Sequence, residues 1–181
     1  MNCASSRTLQ GLKFECSPSR PGVKDIYLAN YGDEMPTVET DLTSDSAMTV
    51  TAIPSGITWY HYELPKNTAS LTSPITVADD GRVSYNNTIA MQFNRLEARK
   101  HAEMSAICQG YIMALVRDRN DKVWFVGLDE YLAPTDGQAM TGASASDRNG
   151  YELTIACESA YLPFEVSPEV FATATIVEPA L

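Results

Sequence analysis

Val83–Val126 reads VSYNNTIAMQFNRLEARKHAEMSAICQGYIMALVRDRNDKVWFV, and three successive periodicities in it decide the fold. The first is strict alternation. Val83, Tyr85, Ile89, Met91 and Phe93 fall on one face, with Ser84, Asn86, Thr88 and Gln92 on the other. That period of two predicts a long, half-buried strand. The pattern then changes to Leu96, Met104, Ile107 and Cys108 among Glu97, Arg99, Lys100 and Glu103. Those spacings suit about three turns of helix, with Gly110 where a C-terminal cap belongs. Last come apolar Tyr111–Val116 and Val123–Val126, joined by the charged turn Asp118-Arg119-Asn120-Asp121, which predict a hairpin.

Upstream, residues 1–24 hold Ser, Arg, Gly and Pro with little periodicity and are expected to form an arm or an irregular cap over the sheet. Residues 25–181 are expected to form a single β-rich domain. Asp25–Tyr31 (DIYLANY), Ala47–Ile53 (AMTVTAI) and Ile57–Leu64 (ITWYHYEL) read as strands rich in β-branched and aromatic residues. Residues 33–46, with Glu34, Glu39, Asp41 and Asp45, read as an acidic, solvated linker. Ala69–Val77 (ASLTSPITV) is strand-like, but Pro74 confines it to an edge or bulged position. The turn Ala78-Asp79-Asp80-Gly81 leads into the long strand, so residues 67–96 form an extended hairpin. One of its sides is rich in Ser, Thr and Asn. A long half-polar edge invites pairing, and a second subunit covering it would remove the hazard.

Downstream, residues 129–150 (DEYLAPTDGQAMTGASASDRNG) lack periodicity and read as a long loop, functional or ordered on assembly. Tyr151–Glu158 alternates again. Pro163 and Pro168 bracket Phe164-Glu165-Val166, and the tail carries the apolar run Val170–Val177. No internal repeat is found. The fold class is therefore mainly β with one α-helix, a sandwich or barrel carrying a long hairpin.

At 181 residues and 44% apolar content, the chain can build a real core. A net charge of −10 argues against a general nucleic-acid binder and against attachment to anionic lipid. The acidity serves either solubility or a surface that DNA does not adsorb to. No run reaches the ~18 apolar residues of a membrane span, and MNCASSRTLQGLKF holds no signal-peptide h-region and no lipoprotein pattern before Cys3. Cys108 and Cys157 are expected as core thiols. Cys3 and Cys16 could pair, but a chain made in the cytosol makes that the less favoured outcome.

Chemistry-bearing motifs are few. The chain has no GxSxG, HExxH, P-loop or GxGxxG, and neither His61 nor His101 lies beside a cysteine in a zinc spacing. Asp118-x-Asn120 resembles the start of an EF-hand loop. Lys122 at the fifth position and Val123 in place of the glycine break the pattern. Asp79-Asp80 reads as a turn, and His101 as a surface side chain on the helix. Trp59, Tyr60 and Tyr62 could stack on a sugar, although packing or an interface is the commoner use of such residues. No enzyme, cofactor or metal site is indicated.

Strand, helix, hairpin, polar loop and closing strand together resemble the tail tube proteins of long-tailed bacteriophages. Asp147-Arg148-Asn149-Gly150-Tyr151-Glu152-Leu153-Thr154 is similar to the "DGNGYTLTFTG"-type run that leads into their last strand. Phe93–Val126 resembles their helix-and-hairpin segment, with the exit Trp124-Phe125-Val126-Gly127. ECSPSRPGVKDIYLANYGD resembles the opening of prophage structural proteins of Bacteroides-type hosts. The resemblance covers about two-thirds of the chain. The opening residues and the proline within 69–77 depart from the better-known tube proteins.

The resemblance implies a tail-tube-like fold and a virion structural protein assembled in the host cytoplasm. Six copies would close into a ring, and rings would stack into a tube through which DNA passes without specific binding. Partners would be the chain itself and other tail or neck proteins, with no membrane anchor. The expected oligomer interface comprises Thr68, Ser70, Thr72, Ser84, Asn86 and Thr88 of the hairpin, with Asp136 and Met140 of the 129–150 loop. That loop and the arm are candidates for ring-to-ring contact. Alternatives are a tail terminator, head–tail connector or capsid-decorating protein, or a monomeric β-sandwich module binding carbohydrate or protein through Trp59, Tyr60 and Tyr62.

Overall fold

The computed structural model describes residues 11–14, 16, 18–42, 44, 46–144 and 146–179; Cys3 and Asp45 lie outside them, and with Cys3 the pairing with Cys16. Thirteen strands and two helices follow in order among the described residues. The first half holds β1 (Val23–Asn30), β2 (Thr37–Glu39), β3 (Thr49–Ala52), β4 (Thr58–Glu63), β5 (Ala69–Thr72) and β6 (Ile75–Val77). The deciding stretch supplies β7 (Val83–Asn94), α1 (Ala98–Gln109), β8 (Ile112–Asp118) and β9 (Val123–Val126). The chain ends through β10 (Ala133–Met140), β11 (Gly150–Ser159), β12 (Phe164–Val166), α2 (Pro168–Phe171) and β13 (Thr175–Val177).

Two sheets result. The larger runs β13-β4-β1-β8-β9-β12-β3-β2 and curls into a half-barrel; the smaller runs β10-β11-β7-β5, with β6 also on β7. This is the expected β-sandwich/barrel. The helix α1 carries the chain from the smaller sheet to the larger one, which is why the deciding stretch contains all three patterns.

Alternation sorts the core into two layers. Ile26, Leu28, Ile112, Ala114 and Val116 of the large sheet face Ile89, Met91, Phe93, Leu153 and Ile155 of the small one. The opposite faces of β1 and β8 give Tyr27, Ala29, Met113 and Leu115 to a second layer inside the curl, with Trp59, Phe125, Phe164 and Val166. Because both faces of β8 are covered, Ile112–Val116 is an unbroken buried run rather than an alternating one.

Several expectations need correction. Residues 129–150 are not a loop: Ala133–Met140 is a strand paired along β11 from Ala133↔Ala156 to Met140↔Gly150. It is an edge strand with few large side chains to bury, so backbone pairing rather than periodicity makes it a strand. The linker 33–46 contains β2, antiparallel to β3. The tail run divides into α2 and β13, with the Ser167 hydroxyl accepting the Val170 N–H (3.3 Å) and Pro168 opening the helix.

Cys108 is exposed, whereas Cys157 is buried as expected. Among the helix residues only Ile107 is fully buried, with Leu96 and Met104 packed partly against the core. Gly110 caps α1 through its N–H on Ala106 O (2.9 Å), but with extended backbone rather than a left-handed turn. The helix is held instead from its flanks. Tyr62 donates its phenol to Glu103, and Lys100 Nζ donates to Asn94 O (2.8 Å).

Candidate assembly interface

Ile89, Met91 and Phe93 point into the core, so the alternate residues of β7 stand on the outer face of the small sheet, over which no element packs among the described residues. Register fixes the rest of that face. Ser70 lies beside Ala90, Ala90 beside Thr154 and Thr154 beside Asp136, one row crossing all four strands. A second row holds Thr72, Thr88 and Ala156. A third holds Gln92, Glu152 and Gln138.

The expected interface residues therefore do share one surface. Ser70, Thr72, Thr88 and Asp136 cluster in adjacent rows. Thr68 stands just before β5, its hydroxyl donating to Pro65 O (2.6 Å), and it lines the same shallow hollow of about 300 Å³ as Ser70 and Asp136. Ser84 and Asn86 lie toward one end of β7, while Met140 pairs with Gly150 at the other. Ten residues of strand separate Ser84 from Asn94, so the set forms a strip about 30 Å long rather than a compact patch.

The strip is polar and weakly acidic. Hydroxyls and amides dominate it, and its carboxylates are Asp136, Glu152 and Glu158. Arg148 is a cation at one margin, and Arg82, paired with Asp80, precedes the strip at the other end. Arg148 donates to Gln92 Oε1 and stands 3.9 Å from Glu152. Glu152 also accepts from Gln92 Nε2 (3.2 Å) and Gln138 Nε2 (2.9 Å). The charge of Arg148 is thus largely committed within the sheet.

The more informative surface was not among the expected residues. Ile75, Val77 and Val83 are 65%, 66% and 47% exposed, although they occupy the hairpin side that carries Ile89 and Met91 further along. Pairing places Ile75 opposite Tyr85 and Val77 opposite Val83, giving one apolar face at the hairpin's far end. The β7 strand has 12 residues, about 40 Å, where a typical strand spans roughly 20 Å. Its buried alternation begins only at Asn87. The hairpin therefore runs past the sandwich and leaves part of its core-facing side uncovered. Its length was the readable signal.

Pro74 interrupts the strand opposite, separating β5 from β6. Its carbonyl still accepts the Asn86 N–H (3.0 Å), so the break is a bulge on an edge. Among the described residues the small sheet thus keeps two unpaired edges, β10 on one side and β5–β6 on the other.

The aromatic trio does not form a ligand platform. Trp59 is fully buried with its ring edge-on to Phe125, centroids 6.4 Å apart. Tyr62 packs on the other face of β4 against Phe93, at 6.2 Å. Tyr60 is the exposed member. Burial together with Glu103 raises the Tyr62 phenol well above its ordinary value. His101 is exposed and lies edge-on to Tyr151. His61 Nδ1 is 2.6 Å from Glu178 and its ring stacks on Tyr27, a contact that fastens β13 to β4. Among the described residues no cluster of three or more His, Cys, Asp or Glu could hold a metal ion. No helix among them is long and apolar enough to cross a membrane.

No protein-family model matches the chain. Neither a curated protein nor a solved structure shows significant similarity to it.

Proposed function

We propose that this chain is a virion structural subunit of tail-tube type, whose copies close into rings that stack into a conduit for DNA. The observation that carries the reading is the uncovered apolar face Ile75–Val77–Val83 on a hairpin longer than its own sandwich. A hairpin exposing core-type side chains is an aggregation hazard on a monomer and a joint in an assembly. Two free edges on opposite sides of one sheet suit head-to-tail repetition, which closes when the rotation between copies permits it.

The outer face of the small sheet suits a lumen. It offers hydroxyls, amides and carboxylates, and the cations at its two ends are paired, Arg148 with Gln92 and Glu152 and Arg82 with Asp80. A polyanion passing such a wall finds little to bind. The net charge of −10 agrees with that role. In this reading the chain acts without catalysis.

The test is the double substitution Ile75→Asp with Val77→Asp. Both side chains are exposed in the single chain, so the fold should survive, with an unchanged circular dichroism spectrum. Sedimentation should show the wild type in large assemblies and the variant as monomer. Assemblies of wild-type size from the charged variant would remove the hairpin from the interface and with it the main support for this function.

A further inference from the structure

Gly11–Phe14 and the groove beside β5 are two apolar surfaces of opposite shape, and among the described residues neither is covered. Leu12 and Phe14 are 105% and 85% exposed. The groove opens between the two sheets at the β5 edge, with a volume of about 470 Å³. Val23, Leu71, Val116, Trp124, Leu162 and Pro163 line it.

We propose that Leu12 and Phe14 of a neighbouring copy fill this groove, so that the N-terminal arm of one subunit latches onto the next. The proposal rests on the self-assembly reading above and adds the partner surface for the arm. Leu12 and Phe14 are two residues apart, so in extended chain both point to one side while Lys13 points away. Two large side chains and a cleft of this size are matched in scale.

The arm is built to reach outward. Its root is tied to the β8–β9 turn, where Asn120 Oδ1 accepts the Arg20 N–H (2.7 Å) and Asn120 Nδ2 donates to Arg20 O (3.2 Å). Pro18 and Pro21 flank that root and stiffen the chain against folding back. From Gly22 to Phe14 the extended chain spans about 25 Å, enough to leave its own subunit.

Charge favours the same partner. The first 24 residues carry four of the 13 Lys and Arg but one of the 23 Asp and Glu. A basic arm on an otherwise acidic chain is attracted to the body of another copy.

The test is disulfide trapping in full-length chains with Cys3, Cys16 and Cys108 replaced by Ser. One population carries Phe14→Cys and the other Ser73→Cys, since Ser73 lines the groove. Mixed at assembling concentration and oxidised with oxidised glutathione, they should give a covalent dimer whose peptides link positions 14 and 73. Sedimentation of the same samples reports assembly separately. Assemblies without that link would overturn the latch and leave the hairpin reading standing; monomers at every concentration would overturn both. A link formed within one doubly substituted chain at high dilution would assign the groove to the chain's own arm and overturn the latch. Leu12→Ser with Phe14→Ser should also raise the concentration needed for assembly at least about tenfold, given the apolar burial lost. An unchanged threshold would contradict the proposal.

Discussion

Gly150 sits so close to Phe93 that a Cβ built on it would lie 2.0 Å from the Phe93 carbonyl oxygen. The contact lies where β11 begins its ten-residue pairing with β7, from Gly150↔Asn94 to Ser159↔Tyr85. The Arg95 N–H donates to Asn149 O (2.8 Å), and the Leu96 N–H donates to Asn149 Oδ1 (3.0 Å). The Asp147-Arg148-Asn149-Gly150 run therefore sets the register of the small sheet. Gly150→Ala should cost about 1–3 kcal/mol by forcing backbone apart. Urea unfolding would measure it, and a stability within 0.5 kcal/mol of wild type would contradict this role (an order-of-magnitude threshold).

Ile89 is paired on both sides, with Ile155 of β11 and Leu71 of β5, and its side chain is fully buried. Proline there removes a ladder hydrogen bond in a central strand and a core side chain together. Ile89→Pro should abolish the folded state and assembly at once. Ordered rings from that variant would mean that β7 is not the spine of the sheet.

The cysteines offer a chemical check on the packing. Burial, reinforced by the Asp129 carboxylate, pushes the Cys157 thiol up to about 11, so at pH 8 it is protonated and inert. Cys108 lies exposed on α1. With Cys3 and Cys16 replaced by Ser, iodoacetamide at pH 8 should label Cys108 and spare Cys157 until denaturant is added. Equal labelling of both in the native protein would contradict the buried position of Cys157.

Tyr62 links β4 to α1 by donating to Glu103, and burial first, then Glu103, raises its phenol. A raised folded value stabilises the protein below the unfolded phenol value of about 10, and that contribution is lost as pH rises beyond it. Tyr62→Phe should therefore cost about 1 kcal/mol at pH 8. The gap from wild type should narrow as pH climbs past 10, measured by urea unfolding at pH 8 to 11. A gap constant across that range would sink the coupling.

Period two in Val83–Phe93 and Tyr151–Cys157 was enough to place both spine strands and the polar side of β7 bearing Ser84, Asn86, Thr88 and Gln92. Periodicity reports which residues share a face but not what covers it. For that reason Val83, placed on one face with Ile89 and Met91, stands in solvent, and Cys108, expected as a core thiol, is exposed. The β10 strand was missed because Ala133–Met140 has few large side chains and owes its extension to pairing with β11. The parallel pairings of β12 with β3 and β13 with β4 join segments far apart in sequence and leave no local trace. Ser167-Pro168-Glu169 carries a helix-start signal that the reading of the tail as one apolar run passed over.

The central claim is that copies of this chain close on one another through the β6–β7 hairpin into stacking rings. Negative-stain electron microscopy of the wild-type protein across a concentration series tests it most directly. The account predicts rings with a central hole at low concentration and stacked rings or tubes at higher concentration. Closed rings that never stack would move the protein to a terminator or connector role. A monomer at every concentration would contradict the assembly account outright.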